Sequence, residues 1–348
     1  MTSTPEPKPL SHNDYTVGWV CALSSELAAG TAMLEQLHDD LSKPGDDTNT
    51  YTLGSISGHN IVIACLPMGK PGNSSAATVA IQMTRSFPSL RFVLMVGIGG
   101  GIPPKVRLGD VVVSTPMGRY PGVVQYDLGK AEEGGKFERT GALNNPPISL
   151  LTAVTNLRAK HEMTGSRIPK YLDELKQKYP QMASEYLRSD SLKDVLFEAS
   201  YRHITSSSTV NDEDDEYEER DEKDDCLHCD KSMIGKRKAR AHNNPVVHYG
   251  LIASGNQVVK DAAVRKRIKG SLEGQALCVE MEAAGLMDNF PCMVIRGICD
   301  YADSHKNGRW QKHAAAVAAA FARELLSHVR PSDVKAENTV KDILDQRK

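Results

Sequence analysis

The run Phe92-Val93-Leu94-Met95-Val96, leading straight into Gly97-Ile98-Gly99-Gly100-Gly101, constrains the fold more than any other stretch of this 348-residue chain. Five consecutive apolar residues leave neither face of an extended strand polar, so both faces must be covered. The runs Thr16–Leu23 and Cys292–Ile298 have the same character. Shorter strand patterns lie at Thr50–Ser55 and His59–Leu66, around Ser57-Gly58, and at Asp110–Ser114, Val246–Ala253 and Ala276–Glu280. Helical patterns alternate with them. One opens at Ser24-Ser25-Glu26, with serine as N-cap, and runs to about Leu37. Others cover Ser74–Ser86, Asp261–Ile268, Ala283–Asn289 and Trp310–Val329, the last stopped by Pro331. This alternation predicts an α/β fold with a largely parallel sheet covered on both sides. The glycines after Val96 read as a turn that lets the backbone approach a small polar ligand.

Composition excludes several classes. With 40% apolar and 25% charged residues, the chain is an ordinary soluble globular protein. A net charge of −2 offers no global basic field for nucleic acid or an anionic membrane. No apolar run approaches the roughly 20 residues that cross a bilayer. The opening MTSTPEPKPLSHNDY has no apolar signal-peptide core. Cys21, Cys65, Cys278, Cys292 and Cys299 sit in apolar runs, where reduced cysteine is a small hydrophobe. A cytoplasmic location is therefore expected.

Residues 1–14 read as a disordered lead-in, 15–330 as a single domain and 331–348 as a frayed C-terminal tail. The middle, 130–245, is polar and weakly periodic, with helical pieces near 147–162 and 170–187. Between Asp212 and Asp225 lie eleven carboxylates against one Arg and one Lys. Such a run repels itself and predicts a mobile insertion at about 206–228, with an acidic binding tail as the other reading. Cys226-Leu227-His228-Cys229, with His203, is a candidate structural metal site, although a single CxxC lacks the second pair that would make it specific.

Three apolar strands end in acids: Glu26 after the first, Glu280-Met281-Glu282 after Leu277-Cys278-Val279, and Asp300 after Met293–Cys299. Ligands of open α/β sheets bind beyond the carboxyl ends of strands, so these acids are site candidates. Each taken singly also fits a helix cap or a solvated loop. The glycine-rich stretch lacks the Lys-Ser/Thr of a phosphate loop and the ribose-binding acid of a dinucleotide fold.

Taken in order, these segments carry a resemblance. Gly18…Glu26, Val96–Gly101, Leu108–Val113, Ala253-Ser254-Gly255-Asn256-Gln257, Val279–Ala284 and Arg296–Asp303 resemble the nucleoside phosphorylase/uridine phosphorylase superfamily. They are most similar to its methylthioadenosine/S-adenosylhomocysteine nucleosidase branch. The likeness covers roughly 15–125 and 246–328. Within it, HYGLIASGNQV and RGICDYADSHKN are similar to domains found alone or on multidomain immune-receptor-like proteins of filamentous fungi.

The resemblance implies a three-layer α/β/α fold with a central mixed, partly barrel-like sheet, and a purine nucleoside or nucleotide as substrate. Neither a cofactor nor a catalytic metal is implied; a homodimer or larger homo-oligomer is. Asp300 would protonate the leaving base at N7, a task for a carboxyl kept protonated near neutral pH. Glu282 would bind the ribose hydroxyls with Met281 against the sugar, and Glu26 would activate water. Gly97, Ile98, Gly99, Ser254, Gly255, Asn256 and Val258 would line the substrate.

Hydrolysis is expected rather than phosphorolysis. The positions where the family's phosphorylases carry serine and arginine hold Ile98 and Met95, and the first strand–helix turn reads Leu23-Ser24-Ser25-Glu26. Arg296 or Arg107 would be the cation of a phosphorylase. The adenine-stacking aromatic is replaced by Val258, and Cys299 stands beside the catalytic acid. Adenine substrates are favoured. Cleavage of ATP is a further candidate because related effector domains include ATP-cleaving members, with Lys70, Lys105, Arg107 and Arg265-Lys266-Arg267 as available cations. A catalytically inactive nucleotide-sensing or interaction module is the rival from another class.

Overall fold

The computed structural model describes residues 9–204 and 226–346. The expected mobile insertion therefore lies outside the described residues, apart from Cys226–His228. Of the lead-in, residues 9–14 are described, and His12–Asp14 make a 3-10 turn.

The first half runs β1 (Val17–Cys21), α1 (Ser24–Met33), β2 (Gln36–Leu37), β3 (Tyr51–Ile56), β4 (His59–Cys65), α2 (Asn73–Ser86), β5 (Phe92–Gly101) and β6 (Val111–Ser114). Then come β7 (Val123–Gln125), the β8–β9 hairpin (Gly129–Glu132, Lys136–Arg139), α3 (Ile148–Thr164), α4 (Ile168–Lys178) and α5 (Ala183–Tyr186). The last part holds β10 (Val247–Ser254), α6 (Ala262–Ser271), β11 (Ala276–Glu280), α7 (Ala283–Met287), β12 (Cys292–Asp300), α8 (Gln311–Leu326), α9 (Pro331–Ala336) and α10 (Val340–Asp345).

The sheet is mixed. β4, β1, β5 and β12 are parallel neighbours, whereas β6, β10 and β11 run the other way, and β12 meets β6 antiparallel. Gly100 and Gly101 of β5 pair antiparallel with Val279 and Cys278 of β11, closing the ring β11–β10–β6–β12–β5. The expected barrel-like sheet flanked by helices is thus present, with six parallel and four antiparallel strand pairings among the described residues.

Alternation along the central strands separates two cores. Phe92, Leu94, Val96, Met293 and Ile295 pack with α1, α3, α4 and α8 on one side. Val93, Met95, Val294 and Ile298 pack with α2 and α7 on the other. All nine residues of β12 are buried, as a strand covered on both faces requires. The Ala-rich α8 lies flat on this strand, so a Cβ on Gly297 would run into the backbone of Ala314.

Several local expectations change. The glycine stretch is not a turn: β5 continues through Gly101 in extended conformation, and the missing side chains make room for neighbours. α1 ends at Met33 because the following backbone joins β3, with Glu35 N–H bonded to Ser55 O and His38 N–H to Leu53 O. Its N-cap position is Leu23, not a serine. The helix expected over 170–187 stops before Pro180, which has no N–H to continue it. Beyond Pro331 the chain is not frayed: Pro331 opens α9, and Val334 and Val340 are buried. Among the described residues no helix is long and apolar enough to cross a membrane.

Candidate active site

A cavity of about 850 Å³ opens where β1, β11 and β12 deliver their acids beside the glycine-rich end of β5. That is within the roughly 300–1,000 Å³ of small-molecule sites. Glu26, Ile98, Gly99, Val258, Met281, Glu282 and Asp300 all line it. Glu26 and Asp300 arrive as the carboxyl-end rule expects, from the parallel strands β1 and β12. Glu280–Glu282 arrive differently. β11 runs antiparallel to β5, from Gly101 back toward Gly97, so closure of the barrel carries these residues to the level of Glu26.

Glu26 stands in the third position of α1 and turns back over the helix start. Its Oε2 accepts the N–H groups of Ala22 at 2.7 Å and Leu23 at 3.1 Å, while Oε1 accepts Ile98 N–H at 2.7 Å. Leu23 is the N-cap, so its N–H is among the donors that a helix start leaves unpaired. Burial pushes this carboxyl up from its ordinary value, against the opposing pull of Arg296 and the three N–H groups. A Cβ at Gly97 would overlap the Glu26 carboxylate and the Arg296 guanidinium, which is why β5 is bare here.

Arg296, projecting from β12, is only 1% exposed. It ion-pairs with Glu280, lies 3.3 Å from Glu282 Oε2 and donates to Ile98 O at 3.3 Å. Glu280 also accepts the N–H groups of Glu282 (3.1 Å) and Ala283 (2.9 Å), fixing the chain at the end of β11. Burial works against the guanidinium's charge, but Glu280, Glu282 and Glu26 hold it firmly protonated. Burial also pushes the Glu282 carboxyl up to about 7, with Arg296 opposing and Glu280 adding to the rise.

Asp300 closes β12 opposite Gly100, where an added Cβ would come within 2.7 Å of its Oδ1. Oδ1 accepts Ala302 N–H at 2.7 Å; Oδ2 accepts the Cys299 thiol at 3.1 Å and lies 3.1 Å from Lys306 Nζ. The loop carrying Lys306 is organised by Asp303, which accepts His305 N–H at 3.0 Å and pairs with Arg265 at 3.0 Å.

Other predicted residues stand behind the wall. Gly97, Ser254, Gly255 and Asn256 do not line the cavity. The Ser254 hydroxyl accepts Ala284 N–H at 3.0 Å and donates to Asn73 Oδ1 at 3.3 Å, so it ties α7 to β10. Val258, 54% exposed, sits at the mouth. Lys70, Lys105, Arg107 and Arg265–Arg267 are not among the lining residues either; Lys260, Lys306, Arg309 and Lys312 are.

The polar middle supplies a wall that sequence reasoning missed, through Ser184, Leu187, Ser191 and Leu192. It is held by charge. Arg240 grips the fully buried Asp110 with both nitrogens, at 2.6 and 2.5 Å, and Arg237 pairs with Asp194 at 2.9 Å. Of the metal candidates, His203, Cys226 and Cys229 come together, and His228 does not join them.

Residues 16–181 match the family model described as the phosphorylase superfamily. A nucleotide-binding leucine-rich repeat (NLR)-like protein of Hyaloscypha variabilis is 46% identical over 335 residues, covering 95% of this chain and 31% of that protein. An ATP nucleosidase, Cap17, of Escherichia coli is 27% identical over 262 residues, covering 74% of this chain and 40% of that protein. The chain thus spans about a third and two fifths of these relatives' lengths. The crystal structure of a 5'-methylthioadenosine/S-adenosylhomocysteine nucleosidase from Neisseria meningitidis shares the fold at a TM-score of 0.55 and 18% identity, covering 90% of this chain and 98% of that one.

Proposed function

The chain belongs to the phosphorylase superfamily, and on that premise we propose that it is a purine N-ribohydrolase acting on adenine nucleosides or nucleotides. The observation that carries the reading is the lodging of the Glu26 carboxylate beside the Ile98 N–H, on a cavity wall where Arg296 is already paired with Glu280. A phosphate dianion would be repelled there, whereas water would find a base.

In this scheme Glu26 takes a proton from water as its oxygen bonds to C1′ of the sugar. The C1′–N9 bond breaks, and Asp300, with Lys306 beside it, supplies a proton to N7 of the departing base. Glu282 accepts hydrogen bonds from the ribose hydroxyls, and Met281 packs on the sugar. Arg296 stays neutralised by Glu280 and Glu282, which holds Glu282 in place and leaves little charge to attract phosphate. Lys260, Lys306, Arg309 and Lys312 line the same cavity. Such cations suit a substrate phosphorylated at the 5′ position, and the likeness to an ATP nucleosidase supports ATP as the substrate to test first.

Adenosine, inosine, guanosine and ATP, each incubated with and without inorganic phosphate and resolved chromatographically, test the proposal. Free adenine from ATP or adenosine without phosphate is expected. Base release only with phosphate would make the enzyme a phosphorylase. Failure to release base from any of the four would favour an inactive nucleotide-sensing module.

A further inference from the structure

The cluster at the edge of the polar middle calls for a separate explanation. His203, Cys226 and Cys229 place one ligand atom each within 4.8 Å of one another. Zinc bonds of about 2.0–2.1 Å to nitrogen and 2.3 Å to sulfur imply tetrahedral edges of roughly 3.5–3.8 Å, so small side-chain adjustments suffice. Both cysteines are buried, in an apolar cluster with Phe197 and, at its margin, Val195, Tyr201, Met233 and Ile234. The Cys-x-x-Cys segment is already turned back on itself, with Cys229 N–H bonded to Cys226 O at 3.2 Å. Lys231 Nζ, donating to Cys226 O at 2.8 Å, brings a positive charge beside the thiols.

A second observation points to a ligand independently. The His305 side chain is 8% exposed, yet among the described residues its Nε2 has no hydrogen-bond partner. The ring is clamped by stacking on Phe197, with centroids 4.1 Å apart and planes at 16°, and stands 5.5 Å from the ring of His203. A buried ring nitrogen left unpaired in a rigid stack is the kind of group a metal satisfies. His203 N–H also donates to the Ser304 hydroxyl at 3.1 Å, so the two histidine-bearing segments are already joined.

We propose that His203, Cys226 and Cys229 bind a structural zinc ion, and that His305, which stands outside that 4.8 Å group beside His203, turns in as its fourth ligand. The site joins the chain on either side of residues 205–225 to the loop that presents Lys306 to Asp300. It is independent of the nucleosidase chemistry, which uses none of the four ligands.

The full-length chain, stripped of metal by a chelator under reducing conditions, would be titrated with Co²⁺ and then with Zn²⁺. Uptake of one Co²⁺, with thiolate charge-transfer absorption and the intense visible bands of a tetrahedral site, displaced by Zn²⁺, is expected. Zinc should also shield two of the seven cysteines from alkylation, which tests the site without any substitution. The Cys226→Ser/Cys229→Ser double variant should lose the charge-transfer band. His305→Ala should retain it but bind zinc at least about 10-fold more weakly, since losing a ligand costs no less than losing an outer-shell partner. Wild-type uptake no greater than the double variant's, weak octahedral bands, or a Cys226–Cys229 disulfide in the reduced preparation would overturn the site. Unaltered zinc affinity in His305→Ala would overturn the fourth ligand.

Discussion

Glu26→Gln separates a base from a helix cap. The substitution keeps length and shape but replaces one acceptor oxygen with an NH₂ donor. The glutamate accepts three backbone N–H groups, two on one oxygen and Ile98 N–H on the other. Glutamine can keep the pair from Ala22 and Leu23 only by turning its NH₂ toward Ile98 N–H. One buried donor then loses its acceptor, at a cost of about 1–3 kcal/mol. Relief of the buried charge offsets part of this, since burial already raises the Glu26 carboxyl. The unfolding free energy measured in urea should therefore fall by no more than about 3 kcal/mol. The rate effect is separate. If Glu26 takes the proton from water, kcat for adenine release should drop about 10²- to 10⁴-fold, or roughly 3–5 kcal/mol in the barrier. A cap alone would lower stability and leave kcat, corrected for the folded fraction, within a few-fold of wild type; that result would refute the assignment.

Two further predictions concern the buried charges. Burial raises Glu282 from 4.5 to about 7, so the folded state holds its proton over a range where the unfolded chain has lost it. This group's contribution to stability is complete below about pH 4.5 and declines as pH rises toward 7. The urea midpoint should carry that falling component, and Glu282→Gln should remove it; an unaltered slope would show that other groups set it. Arg296→Met leaves Glu280, Glu282 and Glu26 facing one another without their shared cation, and should cost about 3–5 kcal/mol in the same measurement. A midpoint equal to wild type would mean that the carboxylates hold no net charge.

Burial on both faces was legible in the residues of β1, β5 and β12, because an uninterrupted apolar run has no other stable setting. The positions of Glu26 and Asp300 just past such strands followed from it. Local pattern could not show that Gly97–Gly101 stays extended. The glycines there answer to side chains from elsewhere, Glu26 and Arg296 at Gly97 and Asp300 at Gly100. Nor could it show that Ser254 ties helix to strand, or that Lys306, Arg309 and Lys312 face the cavity.

From its sequence alone, the chain determined its central apolar strands, the main helices between them and the acids at their ends, since periodicity and apolar runs act over a few residues. Tertiary structure alone decided that β11 runs against β5 and brings Glu282 level with Glu26, and that the polar middle docks through Arg240 on Asp110. Those outcomes depend on strand direction and on charges far apart in the chain. Ring closure and burial select them, and both involve residues distant in the chain.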